Sequence, residues 1–257
     1  MIRLEGVAYA YEERPGLAPL DLSVEAGETL ALLGSNGSGK STLLRILAGL
    51  YFPTRGRYLL EGREVNRTTA DKSFRRRVAI LFQNPESMIF NPTVYDEIAF
   101  GLREFGMDRV RERTEAAAER FGIADLLRRN PLELSGGEKQ KMMLAALLAV
   151  EPDLLLLDEP TAAMDPRTTG WFIDLLYELP QTVILATHDL SLAYETCERT
   201  AVLDESHRLI YDGAMEGLLG DLELLVAANL IHRHRHPHKG FHHSHYHTHF
   251  AKENDHV

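Results

Sequence analysis

The sequence has 257 residues, a formal net charge of −10 and 44% apolar residues. This length suits one large α/β domain with an insertion, and the apolar fraction is sufficient for a buried core, which excludes global disorder. The acidic balance excludes a nucleic-acid partner bound through a basic surface.

Two further features of the composition bear on where the chain works. Its single cysteine, Cys197, cannot form an internal disulfide, which suits a reducing compartment. No apolar run approaches the roughly 20 residues needed to cross a bilayer, and the acidic N-terminus lacks the apolar core of a signal peptide. We therefore expect a soluble chain that acts at a membrane only through partner proteins.

The N-terminal part of the chain predicts strands followed by a strand–loop–helix unit. Apolar residues alternate over residues 2–9 and recur over residues 20–24, which indicates antiparallel strands. The apolar run Thr29–Leu33 is typical of a strand buried on both faces. A glycine-rich turn follows, and then a helix over residues 43–49 that we expect to end at Gly49.

The middle of the chain predicts a sheet interrupted by helices. Residues 78–82, 154–157 and 183–186 are short apolar runs separated by helix-like segments, which favours parallel buried strands. The pattern between residues 93 and 150 is mainly helical. We infer an α/β fold whose mixed sheet core has an antiparallel N-terminal β-subdomain and an α-helical subdomain inserted at about residues 84–152.

The glycine-rich turn satisfies the spacing G-x-x-x-x-G-K-[ST] between a strand and a helix. Glycines let successive backbone N–H groups face one anion at the positive end of a helix. Lys40 supplies a charge for the β- and γ-phosphates, and the Ser41 hydroxyl is a candidate Mg²⁺ ligand. Because the flanking elements fit, we favour a nucleotide site over an ordinary turn. The predicted ATP-binding residues of this loop are Gly34, Ser35, Asn36, Gly37, Ser38, Gly39, Lys40, Ser41 and Thr42.

Two acids, Asp158 and Glu159, directly follow the strand at residues 154–157. The carboxyl edge of a parallel sheet is where such folds bind ligands. We expect Asp158 to hold Mg²⁺, and Glu159 to orient or deprotonate the attacking water. Alone, the pair could equally be two solvated acids, but beside the phosphate loop we favour the catalytic interpretation.

A third motif, Ser135, Gly136, Gly137 and Glu138 after Leu134, resembles the LSGGQ signature of the ABC transporter ATPases. The resemblance covers about residues 2–230 and implies the P-loop NTPase fold of the ABC ATPases. The two glycines stand just ahead of a helical run predicted over residues 141–150, where a helix N-terminus would form a second anion site. In that family the signature of one subunit caps the γ-phosphate held by the other, so the resemblance implies ATP, Mg²⁺ and a second ATPase subunit, with a homodimer as our expectation.

Other motifs follow in the order of that family. The resemblance implies that Tyr11 stacks on adenine, with Tyr9 as the alternative, and that Gln83 contacts Mg²⁺ or water and communicates with the membrane partner. It implies that His188 donates to the γ-phosphate and acts in catalysis with Glu159, Lys40 and Gln83. Asp165 resembles the D-loop aspartate, although Ala163 and Met164 stand where the family usually has Gly-Leu.

The stretch after Gln83 resembles the energy-coupling-factor ATPases, especially the cobalt and nickel group. There this stretch forms part of a groove for a helix of the membrane subunit, so Met88, Ile89 and Phe90 would offer it an apolar surface. The alternative is that these three face the subdomain core. The resemblance thus implies a transmembrane coupling subunit as partner and a peripheral location on the cytoplasmic face of the cell membrane.

Ten histidines crowd the last 26 residues. We predict that residues 231–257 form a disordered tail, because large apolar residues are few there. Closely spaced imidazoles chelate Ni²⁺, Co²⁺ or Zn²⁺, and interruption by arginine, lysine and proline argues against an affinity tag. The candidate ligands are His232, His234, His236, His238, His242, His243, His245, His247 and His249.

The predicted function is the ATPase subunit of an energy-coupling-factor importer for cobalt or nickel. Alternatives are a vitamin importer of that type and a soluble ABC ATPase of iron–sulfur cluster assembly. A P-loop kinase or GTPase would lack the signature motif, and a metal-storage protein would not need the full motif set.

Overall fold

The computed structural model describes residues 1–12, 14–238 and 241–248, with side chains described as far as residue 231. Its strands are β1 (Ile2–Tyr11), β2 (Arg14–Val24), β3 (Thr29–Leu33), β4 (Arg55–Leu60), β5 (Arg63–Glu64), β6 (Val78–Leu81), β7 (Leu154–Asp158), β8 (Thr182–Thr187), β9 (Arg199–Leu203), β10 (Leu209–Ala214), β11 (Ile231–His238) and β12 (Phe241–Thr248). Its α-helices are α1 (Lys40–Leu47), α2 (Lys72–Arg77), α3 (Val94–Glu104), α4 (Val110–Arg120), α5 (Gly136–Ala149), α6 (Pro166–Glu178), α7 (Leu190–Thr196), α8 (Met215–Leu219) and α9 (Leu222–Ala227).

Two sheets confirm the predicted fold class. The N-terminal sheet is antiparallel, with strand order β2-β1-β4-β5. The larger sheet has the order β10-β9-β3-β8-β7-β6, in which all neighbours are parallel except β10, which pairs antiparallel with β9. This is a mixed sheet core with an antiparallel N-terminal sheet beside it.

The larger sheet is buried on both faces. Leu155 and Leu157 belong to one apolar cluster, which also contains α5 and α6 residues, whereas Leu154 and Leu156 belong to a second cluster with α1 and the antiparallel sheet. Alternate side chains of a strand point to opposite faces, so a continuous leucine run is needed where both faces are covered. The two apolar clusters therefore hold the parallel strands in place from both faces of the sheet.

The segment between β6 and β7 is helical, as the pattern predicted. It contains α3, α4 and α5 together with 3₁₀ turns at Pro85–Met88, Ala124–Leu126 and Pro131–Glu133. Thr93 caps α3 by accepting from the N–H of Asp96, and α3, α4 and α5 pack on one another. The division of the chain into domains at residues 84, 152 and 230 stays a prediction.

The helix ends agree with the sequence pattern in one place and differ in another. Gly49 follows α1 at φ 66°, the left-handed conformation expected of a helix stop. Helix α5, predicted from residue 141, begins at Gly136, because Ser135 and Glu138 form a reciprocal capping box that starts the helix five residues earlier.

The histidine-rich segment contains two strands over residues 231–248, and its disorder stays a prediction. Strands β11 and β12 pair antiparallel with each other as a separate two-stranded sheet. Three cross-strand positions are histidine on both strands: His232 with His247, His234 with His245, and His236 with His243. His249 and the residues after it lie outside the described part of the chain.

No helix in the described ranges is long and apolar enough to span a bilayer.

Candidate nucleotide site

Four predicted site segments meet at the carboxyl edge of the larger sheet. The phosphate loop follows β3, Gln83 follows β6, Glu159 follows β7 and His188 follows β8. Because the four strands run parallel, their carboxyl ends share one edge. A cavity of about 350 Å³ opens there. It is lined by Tyr11, Pro15, Gly16, Ser35, Asn36, Gly37, Gly39, Lys40, Ser41, Thr42, Gln83, Asp158, Glu159 and His207.

The phosphate loop depends on glycine for its shape. Gly34 has a φ of 152°, and a Cβ there would lie 2.5 Å from the carbonyl oxygen of Leu203 and 2.5 Å from Ser38 Oγ. Gly39 has a φ of 107° at the N-cap of α1, and a Cβ there would lie 2.9 Å from the carbonyl oxygen of Gly16. Side chains at either position would clash with backbone, so the loop adopts this curled shape only with glycine.

Lys40 extends inside this loop with only 6% of the residue exposed. Its Nζ donates to the carbonyl oxygens of Gly34 at 2.5 Å and Ser35 at 3.2 Å. Burial lowers the pKa of Lys40, and the nearby Glu159 carboxylate opposes that shift. The ammonium is therefore a buried cation held by carbonyl dipoles, ready for an anionic ligand.

The residues for Mg²⁺ fit the ion. Asp158 is 3% exposed, and its Oδ1 is buried with no hydrogen-bond partner among the described residues. Burial raises the pKa of Asp158, whereas a hydrogen bond with Ser41 lowers it. A carboxylate and a hydroxyl side by side, with one oxygen unpartnered, are the hard oxygen ligands that Mg²⁺ prefers.

Glu159 is the centre of a buried polar group. His188 Nδ1 donates to its Oε1 at 2.7 Å, Thr187 Oγ1 donates to its Oε2 at 3.1 Å, and Lys40 Nζ lies 3.5 Å from Oε1. Burial alone would raise the pKa of Glu159, but the hydrogen bond with His188 and the charge of Lys40 hold it below its usual range. The side chain is thus an ionised base beside the phosphate loop.

The backbone at Glu159 is unusual. Its φ is 47°, a left-handed conformation that a non-glycine residue adopts only when its surroundings impose it. Here its N–H donates to the carbonyl oxygen of Ala186 at 2.8 Å, which continues the β7–β8 ladder past the strand end. With the backbone in this conformation, the Glu159 side chain contacts Lys40 and His188.

The two candidate adenine-stacking tyrosines are in edge-to-face contact, with ring centroids 4.9 Å apart, but Tyr11 lies at the cavity and Tyr9 behind it. Tyr11 lines the cavity, and its hydroxyl forms a hydrogen bond with Thr42 Oγ1 at 2.9 Å. Tyr9 stacks on Tyr51 with ring centroids 5.1 Å apart and packs against the second apolar cluster. The geometry favours Tyr11 as the residue in contact with the base.

The signature residues form the N-terminus of α5. The N–H and Oγ of Ser135 donate to Glu138 Oε2 at 2.8 and 2.7 Å, which holds the pKa of Glu138 below its ordinary value. None of the four signature residues is among the described residues that line the cavity around Lys40. Within one chain, the glycine-rich start of α5 therefore lies apart from the cavity around Lys40.

The signature glycines also serve packing. A Cβ on Gly136 would lie 3.0 Å from the carbonyl oxygen of Ala163, and one on Gly137 would lie 3.1 Å from Thr168 Oγ1. Asp165 caps α6 in the same loop by accepting from the backbone N–H and hydroxyl of Thr168. The loop that contains Ala163 and Asp165 thus lies directly against the two signature glycines.

The segment after Gln83 is tied to the signature helix. Gln83 is exposed and lines the cavity. Glu86, in the 3₁₀ turn Pro85–Met88, accepts from Lys139 Nζ of α5 at 2.5 Å. Because the Lys139 side chain is 11% exposed, this ion pair is partly desolvated.

Of the three apolar residues predicted to face a partner, one points outward. Met88 and Ile89 are partly buried against the first apolar cluster. Phe90 is 64% exposed and meets the 43% exposed Phe100 edge to face, with ring centroids 4.7 Å apart. The alternative of core packing therefore holds for Met88 and Ile89, and the outward apolar surface consists of Phe90 and Phe100.

Sequence reasoning missed two polar residues at the site. Thr187 contacts Glu159 and stands inside the stretch that identified His188, so its position before that histidine was an available signal. His207 lines the cavity from the β9–β10 turn. No spacing pattern links it to the phosphate loop, since the two meet only through the fold.

Comparisons with known proteins identify the family of the chain. A family profile described as ABC transporter matches residues 17–162. The nickel import ATP-binding protein NikO of Rhodobacter capsulatus is 42% identical over 241 residues, covering 89% of this chain and 94% of that protein. The energy-coupling factor transporter ATP-binding protein EcfA of Methanothermobacter thermautotrophicus is 37% identical over 237 residues, covering 90% and 76% respectively.

Other relatives are described only as ABC transporter ATP-binding proteins. A solved structure of CbiO1 from Clostridium perfringens, described as part of the ABC transporter complex CbiONQ, matches with a TM-score of 0.77 and 32% identity. The match covers 89% of this chain and 94% of CbiO1. The chain belongs to the ABC transporter family, in which it is an ATP-hydrolysing, ATP-binding subunit.

Proposed function

We propose that this chain powers an energy-coupling-factor importer for nickel or cobalt ions from the cytoplasmic face of the membrane. The observation that carries the proposal is the likeness to NikO over nearly the whole of both chains. The likeness to EcfA and CbiO1 supports the transporter type. The histidine-rich segment, with three cross-strand positions occupied by histidine on both strands, supports a transition metal as cargo.

In the proposed mechanism two copies bind ATP and close head to tail. The amides of the phosphate loop and Lys40 neutralise the phosphates of one copy, and Ser135, Gly136 and Gly137 of the other cap the γ-phosphate. The separation of the signature from the cavity within one chain supports this arrangement. Asp158 and Ser41, with Gln83 beside them, would hold Mg²⁺, which screens the charge of the phosphates.

Glu159 is the proposed catalytic base. Its carboxylate is ionised, buried and already aligned by Thr187 and His188, so it can orient water and accept its proton. His188 is the proposed donor to the γ-phosphate. Its present hydrogen bond to Glu159 supports a role in which it also fixes the orientation of the base.

The proposed contact with the membrane subunit includes Phe90 and Phe100. An exposed aromatic pair next to the Gln83 segment is a suitable anchor for an apolar helix. The ion pair between Glu86 and Lys139 gives a route by which movement of that contact reaches the signature helix.

The test is uptake of radiolabelled Ni²⁺ and Co²⁺ by cells that contain this chain and its co-purifying membrane proteins. We expect uptake that a Lys40→Ala variant abolishes and a Phe90→Ser variant reduces. Uptake of a vitamin instead would assign the chain to the vitamin-type importers. Purification without any membrane protein, but with cluster-assembly proteins, would overturn the transport proposal.

The histidine-rich segment is proposed to bind Ni²⁺, Co²⁺ or Zn²⁺ and to buffer or sense the cargo. Deletion of residues 232–257 is the direct test, compared with the full chain for uptake and for the metal dependence of uptake. Unchanged behaviour in both measurements would contradict the proposal.

A further inference from the structure

One histidine at the rim of the nucleotide cavity has no part in the mechanism above. His207 lies in the turn between β9 and β10, and hydrogen bonds hold this turn in two directions. Asp204 Oδ1 accepts from the backbone N–H groups of Ser206 and Arg208, both at 2.9 Å. The carbonyl oxygen of His207 accepts from the N–H of Ala18 in β2 at 2.9 Å. The turn is therefore fixed to the antiparallel sheet as well as to its own hairpin.

The backbone of His207 is in the left-handed region, with a φ of 61°. Glycine adopts this conformation without steric strain, whereas a residue with a Cβ does not. The turn would therefore accept glycine at this position, so the side chain of His207 can be removed without disturbing the backbone.

The imidazole reaches the phosphate loop. It lines the cavity with Lys40 and Tyr11, and a methyl group on Gly39 would lie 3.7 Å from its Nδ1. Nδ1 is buried and has no hydrogen-bond partner among the described residues. The turn thus positions the ring, and Nδ1 has hydrogen-bonding capacity that the described residues do not use.

The position of the ring in the cavity suggests which part of a nucleotide it meets. Lys40, Asp158 and Glu159 form the end of the cavity proposed for the β- and γ-phosphates. Gly39 and Gly16, next to His207, lie on the side of Tyr11 and Thr42, which is the proposed adenosine end. His207 therefore lies nearer the ribose and the α-phosphate.

We propose that His207 is a further nucleotide-binding residue, whose imidazole forms a hydrogen bond with an oxygen of the ribose–α-phosphate unit. This inference rests on the proposed nucleotide site. Since ATP and ADP share the ribose and the α-phosphate, the contact contributes equally to the binding of both, and it contributes to affinity and not to the chemical step.

The experiment is equilibrium binding of fluorescent ATP and ADP analogues to the isolated subunit with Mg²⁺. His207→Gly removes the ring and suits the left-handed backbone, so the variant folds. Glu151→Gly is the matched control, because Glu151 is an exposed residue at φ 53° that does not line the cavity. We expect His207→Gly to weaken the binding of both nucleotides about tenfold, as for the loss of one hydrogen bond. Glu151→Gly should change neither affinity.

Steady-state ATPase assays add a second readout: His207→Gly raises KM for ATP and leaves kcat unchanged. Equal affinities of His207→Gly and the unaltered protein would overturn the proposal, and so would a loss confined to ATP, which would place the contact at the γ-phosphate. Failure of the unaltered protein to bind either nucleotide would instead refute the nucleotide site itself.

Discussion

The Glu159→Gln variant tests the catalytic base most directly. Glutamine keeps the shape of the side chain and its hydrogen-bonding oxygen but cannot accept a proton from water. A positioned general base contributes roughly 10²- to 10⁴-fold to a rate, or about 3 to 5.5 kcal/mol of barrier. We therefore expect kcat for ATP hydrolysis to fall by at least about a hundredfold.

The same variant should not lose ATP affinity. In the free protein Lys40 Nζ lies 3.5 Å from Glu159 Oε1, and this attraction is about 5 kcal/mol at an effective dielectric constant of about 20, before the desolvation of both charges offsets most of it. Lys40 keeps its bonds to the carbonyl oxygens of Gly34 and Ser35 in the variant. A neutral residue at position 159 also removes repulsion of the γ-phosphate, so ATP binds at least as tightly.

The assay combines phosphate release, nucleotide binding and size-exclusion chromatography with MgATP. We expect bound ATP without turnover and accumulation of a dimer, whereas Glu223→Gln, a change at an exposed position of α9, leaves all three measurements unchanged. Near-normal hydrolysis by Glu159→Gln would remove this residue from the role of base. Loss of ATP binding would show that the main role of the Glu159 charge is to stabilise the Lys40 ammonium in the phosphate loop.

Three other predictions follow from the site and its surroundings. Mg²⁺ is expected to raise the ATP affinity of the unaltered protein about tenfold or more, and Asp158→Asn should abolish this gain because the buried carboxylate is the proposed ligand. An ATP titration with and without EDTA measures the gain. A gain that persists in the variant would contradict the assignment. Glu138→Gln keeps the oxygen that accepts from Ser135 but removes a negative charge near the proposed γ-phosphate. ATP-driven dimerisation, measured by analytical ultracentrifugation, should therefore strengthen about threefold, and weaker association would contradict this. Burial raises the pKa of the Cys197 thiol to about 11, so only about a thousandth of the thiol is ionised at pH 8. Thiol reagents should therefore label Cys197 slowly until the protein unfolds. Labelling of the folded protein at the rate of an exposed thiol would refute this burial.

Much of the site could be predicted from the sequence because its parts are local. The phosphate loop, the acids after β7 and the signature turn each consist of a few consecutive residues whose chemistry follows from residue type and spacing. The buried strands were equally visible, because leucine runs such as 154–157 occur where a parallel sheet is covered on both faces. Local backbone preference and burial thus determined the sheet core, the inserted helices and the candidate ligands.

Other features were decided only by the tertiary structure. His188 contacts Glu159 because β7 and β8 are neighbours in the sheet, although the two residues are 29 positions apart in the sequence. Only the fold shows that Tyr11 lines the cavity while Tyr9 does not. It also shows that Phe90 is exposed, whereas Met88 and Ile89 are partly buried. His207 reaches the phosphate loop from a hairpin at the other end of the sequence. Such contacts depend on strand order and on the burial of each face, and these are set by the packing of the whole chain, which short-range pattern does not encode.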